Sequence, residues 1–317
     1  NKFSDSKFLD EINYFLAVIN FQKENYSSAK EGIEKFISQS PNSQNIIQAK
    51  YLLGLSLYNL NLYKEAINVF SDIKIKYPDS NLNSNIDYKI AECFYKLGNN
   101  DEALKRFKDF SVRCPGSEFN PNVLYWLGEF YSEQKKFNLA RRYYQDIIKN
   151  YNTCDLIEKA KLGMAYLDLQ ENLKEDAISK LNQIKNARDL EVRRDTNLLL
   201  GNLTEDCTRA ILFYNEALKV TNNSGKGSEI LFKIADCYER EGLFDSALEG
   251  YQKIADSFKD NSSNTLFIKS LLRIAQIFEN KQDWQKAKEV YMRVTKISCE
   301  ESEFAKEKLD WIEENIK

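Results

Sequence analysis

Small residues recur at Ala29, Ala66, Ala103, Ala140 and Ala177, each 37 residues after the last. A fixed period of this length is the mark of a stacked-repeat architecture, and it constrains the chain more tightly than composition does. The series continues less evenly through Ala210, Ala247 and Ala287, at steps of 33, 37 and 40, which makes eight units. In seven of them a second small residue stands 12 positions earlier, at Ala17, Gly54, Ala91, Gly128, Ala165, Ala235 and Ala275. The sixth unit breaks step, with Gly201 nine before Ala210.

An apolar side chain follows each marker alanine by four: Ile33, Phe70, Phe107, Tyr144, Leu181, Tyr214, Tyr251 and Tyr291. That spacing puts both residues on one helix face. Another apolar residue directly precedes the first small residue of each unit, at Leu16, Leu53, Ile90, Leu127, Met164, Leu200, Ile234 and Ile274. Each unit therefore reads as two amphipathic helices joined by a short polar turn, over residues 46–60 and 63–76 in unit 2. Pro41, Pro78 and Pro115 fall 12 after Ala29, Ala66 and Ala103. A residue without an N–H and with fixed φ stops the second helix there. Where two helices cross closely a large side chain would hold them apart, so glycine or alanine marks the crossing. One pair buries only part of its apolar surface, and neighbours must stack to complete a core.

Composition agrees with an all-α chain. Only 11 Gly and 4 Pro occur in 317 residues, too few turn formers for a sheet protein, while 43% of residues are hydrophobic and 13% aromatic. The length alone would suggest about two domains, but a periodic chain escapes that rule. The formal net charge of −3 argues against a nucleic-acid backbone or an anionic membrane surface as the main partner. With no histidine in the sequence, Ser-His and Cys-His nucleophiles and His-ligated zinc are excluded. The six cysteines, Cys93, Cys114, Cys154, Cys207, Cys237 and Cys299, form no C-x-x-C and are expected to be free and mostly buried. No apolar run reaches the ~20 residues a bilayer-spanning helix needs. A chain that opens at Asn1, without an initiator Met or a leader, is expected to have lost an upstream segment.

The run Tyr51-Leu-Leu-Gly54…Tyr63-Lys-Glu-Ala66…Phe70…Tyr77-Pro78-Asp-Ser80 resembles a tetratricopeptide repeat, as does Tyr125-Trp-Leu-Gly128-Glu-Phe-Tyr131…Phe137…Ala140…Tyr144. The resemblance covers roughly residues 8 to 298. It implies a right-handed α-solenoid of about eight helix-turn-helix repeats and a non-enzymatic scaffold that binds protein or peptide in its concave groove. Residues 1–188 would hold repeats 1–5 and residues 189–299 the less regular repeats 6–8. Residues 300–317, with Phe304, Leu309, Ile312 and Ile316 on one stripe, would form a capping helix. The same phrases resemble the bacterial cell-envelope versions of the repeat, the outer-membrane assembly lipoprotein and the Tol-Pal periplasmic type. That likeness places the chain in the periplasm or at the outer membrane; a cytoplasmic adaptor and a regulatory or assembly subunit of an enzyme complex are the alternatives.

In such arrays the first helices line the groove, and here Tyr14, Tyr51, Tyr88 and Tyr125 recur in steps of 37 at the third position before the small residue. With Tyr58 and Tyr95 they are expected to form a tyrosine ladder on the concave wall, since tyrosine offers contact area and a hydroxyl at low entropy cost. The competing role for these rings is packing between units. Glu92, Glu129 and Glu133, then Asp236 and Glu239, would add carboxylates to the wall and select a basic or extended segment; the alternative for them is ordinary solvated surface. Matched positions Tyr14, Val18, Tyr51, Leu55, Tyr88 and Glu92 lack the Lys and Asn of a carboxylate clamp, so a chaperone-tail ligand is not expected. Self-association through exposed aromatic surfaces is a further role. Ser224-Gly-Lys-Gly-Ser228 lacks the spacing of a phosphate loop and is expected to be a flexible turn that opens the first helix of unit 7. No catalytic set, metal set or cofactor site emerges from the sequence.

Overall fold

The computed structural model describes residues 2–151, 154–221, 224–258 and 264–316. Among them are seventeen α-helices and no strand. They form two compact halves, Asn1–Leu156 and Ile157–Lys317. The first half carries α1 (Lys2–Gln22), α2 (Tyr26–Gln39), α3 (Ile46–Asn59), α4 (Tyr63–Lys76), α5 (Asn83–Lys96), α6 (Asn100–Arg113), α7 (Asn120–Glu133) and α8 (Phe137–Asn150). The second carries α9 (Leu156–Gln170), α10 (Lys174–Ile184), α11 (Leu190–Leu203), α12 (Cys207–Lys219), α13 (Ser224–Arg240), α14 (Phe244–Ser257), α15 (Thr265–Asn280), α16 (Trp284–Thr295) and α17 (Glu301–Asn315). Within each half the odd-numbered helix packs on the even-numbered helix of its own unit, α9 on α10 through Leu162, Ala165, Ala177 and Leu181, and the even-numbered helix packs on the next odd one. The expected division at residues 188 and 189 falls between α10 and α11, which pack together inside the second half.

The marker alanines are the crossing points. All eight are at most 2% exposed, and the residues four further on, from Ile33 to Tyr291, fill the space between paired helices. Gly54, Gly128 and Gly201 lie directly against the rings of Phe70, Tyr144 and Tyr214, so close that no side chain would fit without moving the ring. Between units, Ser43, Ser80 and Ser117, again in steps of 37, accept the N–H of the second residue onward at 3.2, 3.2 and 3.3 Å. These bonds shape the turn after each proline.

Every turn inside a unit has three residues. Seven of the eight place the middle one in the left-handed region: Glu24, Asn61, Gly98, Lys135, Asn172, Gly242 and Gln282, with φ from 57 to 75°. The conformation lets the helix close with paired bonds, as where the Asn61 and Leu62 N–H groups donate to the Tyr58 and Leu57 carbonyls at 3.0 and 2.9 Å. A non-glycine L-residue is strained there by ~1–2 kcal/mol. Lys135→Gly, which copies Gly98 and Gly242, is therefore expected to raise stability by about 0.5–1 kcal/mol after the unfolded-state entropy of glycine is subtracted. A urea midpoint equal to or below wild type would contradict this.

The break in step has a structural cause. Helix α10 runs 11 residues where α2, α4, α6 and α8 run 14. The turn after α11 is the one without a left-handed residue; Thr204 and Asp206 are extended, and the Asp206 carboxylate accepts the Arg209 N–H at 2.7 Å. Helix α11 has slid by three residues, about 4.5 Å along its axis, so Gly201 meets Tyr214 as Gly54 meets Phe70. The contact is kept although the spacing is not.

Helix α17 packs on α16. Its buried stripe centres on Ala305 and Ile312, with Leu309 and Ile316 partly buried; Phe304, expected on the stripe, is 38% exposed. Lys308 of α17 reaches the Glu279 carboxylate at 3.2 Å. Ser224–Ser228 is helical rather than a flexible turn and opens α13. The cysteines are free; Cys93, Cys207 and Cys237 are buried, while Cys114, Cys154 and Cys299 are half-buried rather than enclosed. No helix among the described residues is long and apolar enough to cross a membrane.

Candidate functional site

In the first half α3, α5 and α7 present one wall, and it holds a cavity of about 470 Å³. Seven of the nine residues expected in the groove line it: Tyr58 from α3, Tyr88, Glu92 and Tyr95 from α5, and Tyr125, Glu129 and Glu133 from α7. Tyr14 and Tyr51 do not. The Tyr14 ring packs on Phe36 at 5.2 Å, and Tyr51 on Phe70 at 5.8 Å with Asn85 beside its hydroxyl. Equivalent contacts tie Tyr88 to Phe107 at 6.2 Å and Tyr125 to Tyr144 at 5.9 Å. The recurring tyrosine thus packs on a ring of its own unit in all four units, Tyr88 also stacks at 4.7 Å on Phe119 at the start of the next unit, and Tyr88 and Tyr125 border the cavity.

Sequence spacing missed the other half of the lining, which comprises Lys96, Asn100, Phe107, Asn122, Trp126, Phe130 and Leu156. Trp126 is the centre of this set. Its ring contacts Phe107 at 4.6 Å, Phe130 at 5.1 Å and Tyr95 at 5.4 Å. Trp126 and Phe130 stand four apart on α7, a helical pair that the sequence could have flagged.

The carboxylates differ in their surroundings. Glu92 accepts the Tyr88 hydroxyl at 3.0 Å and the Lys89 ammonium at 2.6 Å. That ammonium also lies 4.8 Å from the Tyr58 ring centre and 5.3 Å from that of Tyr88. Glu129 accepts the hydroxyl of buried Tyr144. Glu133 is exposed at the rim. Among the described residues neither Glu129 nor Glu133 forms an ion pair with a lysine or arginine, and Lys96 is the one cationic residue in the lining.

Burial, and after it the charge of Glu92, pushes the Tyr58 and Tyr88 hydroxyls well above the ordinary tyrosine value. Burial and the bond to Glu129 do the same for Tyr144, and burial with bonds to Asp236 and Glu239 for Tyr251. These groups stay protonated at any physiological pH, and Tyr88, Tyr144 and Tyr251 donate hydrogen bonds from theirs. Burial and the Glu92 charge also push the Cys93 thiol up to about 12, which keeps it protonated at neutral pH. The tyrosines set a pH limit. Below 10.0, the ordinary value, they are neutral in both folded and unfolded chain and their contribution is fully present. Above it the unfolded chain ionises first, so stability falls as pH rises further. The urea midpoint is expected to drop steeply past that pH, with the phenolate absorbance of these four rings appearing only on unfolding. Phenolate formation at the ordinary value in a still-folded chain would refute the burial argument.

Asp236 and Glu239, also expected on the wall, lie in the second half and are engaged there. Both accept the Tyr251 hydroxyl, Glu239 at 2.8 Å, and they face Arg273 at 3.9 and 3.8 Å. The cavity of about 450 Å³ beside them is also lined by Lys233, Arg240 and Arg273. Cations offset these carboxylates.

A family profile described as tetratricopeptide repeat matches residues 48–80, 87–117 and 122–151. Each stretch spans one helix pair, and together they carry the cavity. Residues 48–151 thus carry three tetratricopeptide repeats. A second profile, soluble NSF attachment protein, matches residues 202–307 of the second half. No curated protein matches the sequence. Among solved structures, the C-terminal part of a tetratricopeptide-repeat-containing protein from Cytophaga hutchinsonii superposes with a TM-score of 0.65 at 16% identity, over 80% of this chain and 98% of that one. A tetratricopeptide-repeat protein from Parabacteroides merdae gives 0.55 at 15% identity, over 83% and 98%. PilW, a type IV pilus biogenesis factor, gives 0.52 at 14% identity, over 72% and 100%. At these identities the likeness is one of fold. The tetratricopeptide architecture supports a protein-interaction scaffold, and in the first half its wall carries the aromatic and acidic cavity.

Proposed function

We propose that this chain is a non-enzymatic docking scaffold whose cavity on α3, α5 and α7 receives a lysine or arginine side chain of an extended partner segment. One observation carries this reading: the wall already binds a cation of its own. Lys89 lies over the Tyr58 and Tyr88 rings while its ammonium bonds Glu92. One step along, Trp126 and Phe130 offer ring faces beside Glu129 and Glu133, with no lysine or arginine paired to those carboxylates among the described residues. A cation placed there gains attraction from ring faces and carboxylates together.

The experiment is fluorescence binding with three sets of short peptides that differ only in charge. Basic peptides are expected to bind best, with affinity falling as salt rises. Glu133→Lys, at an exposed position, is expected to weaken them roughly threefold to tenfold without changing the urea midpoint. Equal binding of acidic and basic peptides, or no effect of Glu133→Lys, would reject the proposal. For the setting we favour the bacterial cell envelope, supported by the Tyr125–Tyr131 and Tyr77–Ser80 phrases and by the fold shared with PilW. Fractionation of the native protein tests it; recovery in the cytoplasm alone would reject it.

A further inference from the structure

Cys207 and Cys237 belong to one small core cluster in the second half. On α12, Cys207, Ala210, Tyr214 and Ala217 follow one another at steps of three or four; on α13, Ile230, Ile234 and Cys237 do the same, and all seven side chains are buried. Each set occupies one face of its helix, and the two faces meet where α12 packs on α13. Cys207 is the first residue of α12, and Cys237 lies in the last turn of α13. Consecutive helices that run in opposite directions bring those two ends together. The two thiols are hydrogen-bonded to each other, with Tyr214 beside both. Cys93 and Cys299 pack in clusters that hold no second cysteine among the described residues.

We propose that Cys207 and Cys237 are a dithiol that a small-molecule disulfide, such as glutathione disulfide, oxidises to a disulfide joining α12 to α13. Two sulfurs already in contact need little backbone movement to be joined. Cys237 borders the cavity of about 450 Å³ and Cys207 does not, so the exchange begins at Cys237. Its sulfur, as thiolate, attacks glutathione disulfide and releases one glutathione. The Cys207 sulfur then attacks that of Cys237 in the mixed disulfide and releases the second. One S–S bond forms in the protein and one breaks in the oxidant; two electrons and two protons pass from the cysteines to two glutathione thiols. Burial, and after it the bond to Cys207, pushes the Cys237 thiol upward, so the exchange is slow in the folded chain and fastest while the chain folds. The bridge links residues 30 positions apart, and a closed loop of that length restrains the unfolded chain. It also anchors the one turn that departs from the others, because Cys207 directly follows the extended Asp206. In a reducing compartment the pair stays a dithiol; in an oxidising one it staples units 6 and 7.

Refolding of the full chain from urea in a mixture of reduced and oxidised glutathione tests this, followed by thiol titration and peptide mapping without reductant. Two of the six thiols are expected to disappear, the mass to fall by about 2 Da, and the peptide holding Cys207 to be linked to the one holding Cys237. The urea midpoint of the oxidised chain is expected to rise by about 0.5–1 M over the reduced one. Cys207→Ala should abolish both the link and the rise. The map is read on the unsubstituted chain, so it stands even where that variant folds poorly. Six free thiols after refolding overturn the inference. So does a bridge that joins either residue to another cysteine, or a rise in midpoint that persists in Cys207→Ala.

Discussion

Gly128→Leu is expected to destabilise the protein by about 3–5 kcal/mol. A Cβ at Gly128 would stand 2.5 Å from Cε1 of Tyr144, well inside contact distance. The ring cannot swing aside cheaply: Tyr144 is 1% exposed, and its hydroxyl donates to Glu129. Overpacking costs ~1–3 kcal/mol, and loss of a hydrogen bond to a charged group ~1.5–3 kcal/mol. The gain in helix propensity on removing a mid-helix glycine, ~1 kcal/mol or less, offsets little of this. Gly128→Ala should be far milder. Ala235 and Ala275 already face Tyr251 and Tyr291 at the matched position, so the architecture accommodates a single methyl opposite a tyrosine. Urea unfolding measures the size of the effect, and amide exchange its location, with protection lost first in α7 and α8. If Gly128→Leu melted like wild type, close helix approach would not be what the small residues provide.

The sequence resolved the helix pairs because side-chain size at a crossing is a local property. A glycine or alanine recurring at or near every 37 residues locates each crossing, and in units 1–3 a proline 12 residues after the marker ends the second helix. The slide of α11 was visible as a spacing of nine but not interpretable. Its cause, a shortened α10 and a turn of different conformation, lies in neither of the residues that define the spacing. The cavity was half legible for a similar reason. Periodicity identifies which face of a helix looks into the groove, and that sufficed for Tyr58, Tyr88, Tyr95 and Tyr125. It does not say where adjoining helices carry side chains large enough to form a floor. Tyr51 shares the register of Tyr88, yet its neighbours at the position of Trp126 are Leu52 and Lys89. Carboxylates were harder still. Glu129 and Asp236 occupy the same place after the small residue and each accepts a tyrosine hydroxyl from the paired helix. Only the distribution of arginine around them, Arg273 beside Asp236, separates one from the other.

That distinction between ladder and cavity leads to the largest effect expected on binding. Trp126→Ala should weaken basic-peptide binding about 30-fold to 100-fold, the loss of ~2–3 kcal/mol that accompanies removal of a central aromatic anchor. Trp126 joins the two sides of the cavity, touching Phe107 and Tyr95 on one flank and Phe130 on the other. Its removal therefore takes away both a ring face and the floor against which neighbouring rings rest. Some stability should be lost as well, because the ring is partly buried, so Trp126→Phe is the paired control. Phenylalanine restores most of the floor and should recover much of the affinity. Tyr51→Ala supplies the opposite comparison: it removes a tyrosine of the same 37-residue series whose ring packs on Phe70 outside the cavity. Its expected cost falls on stability, and peptide affinity measured on the folded variant should hardly change. If Tyr51→Ala weakened binding as much as Trp126→Ala, the partner would run along the whole tyrosine series, and a discrete cavity between α3, α5 and α7 would not be the recognition element.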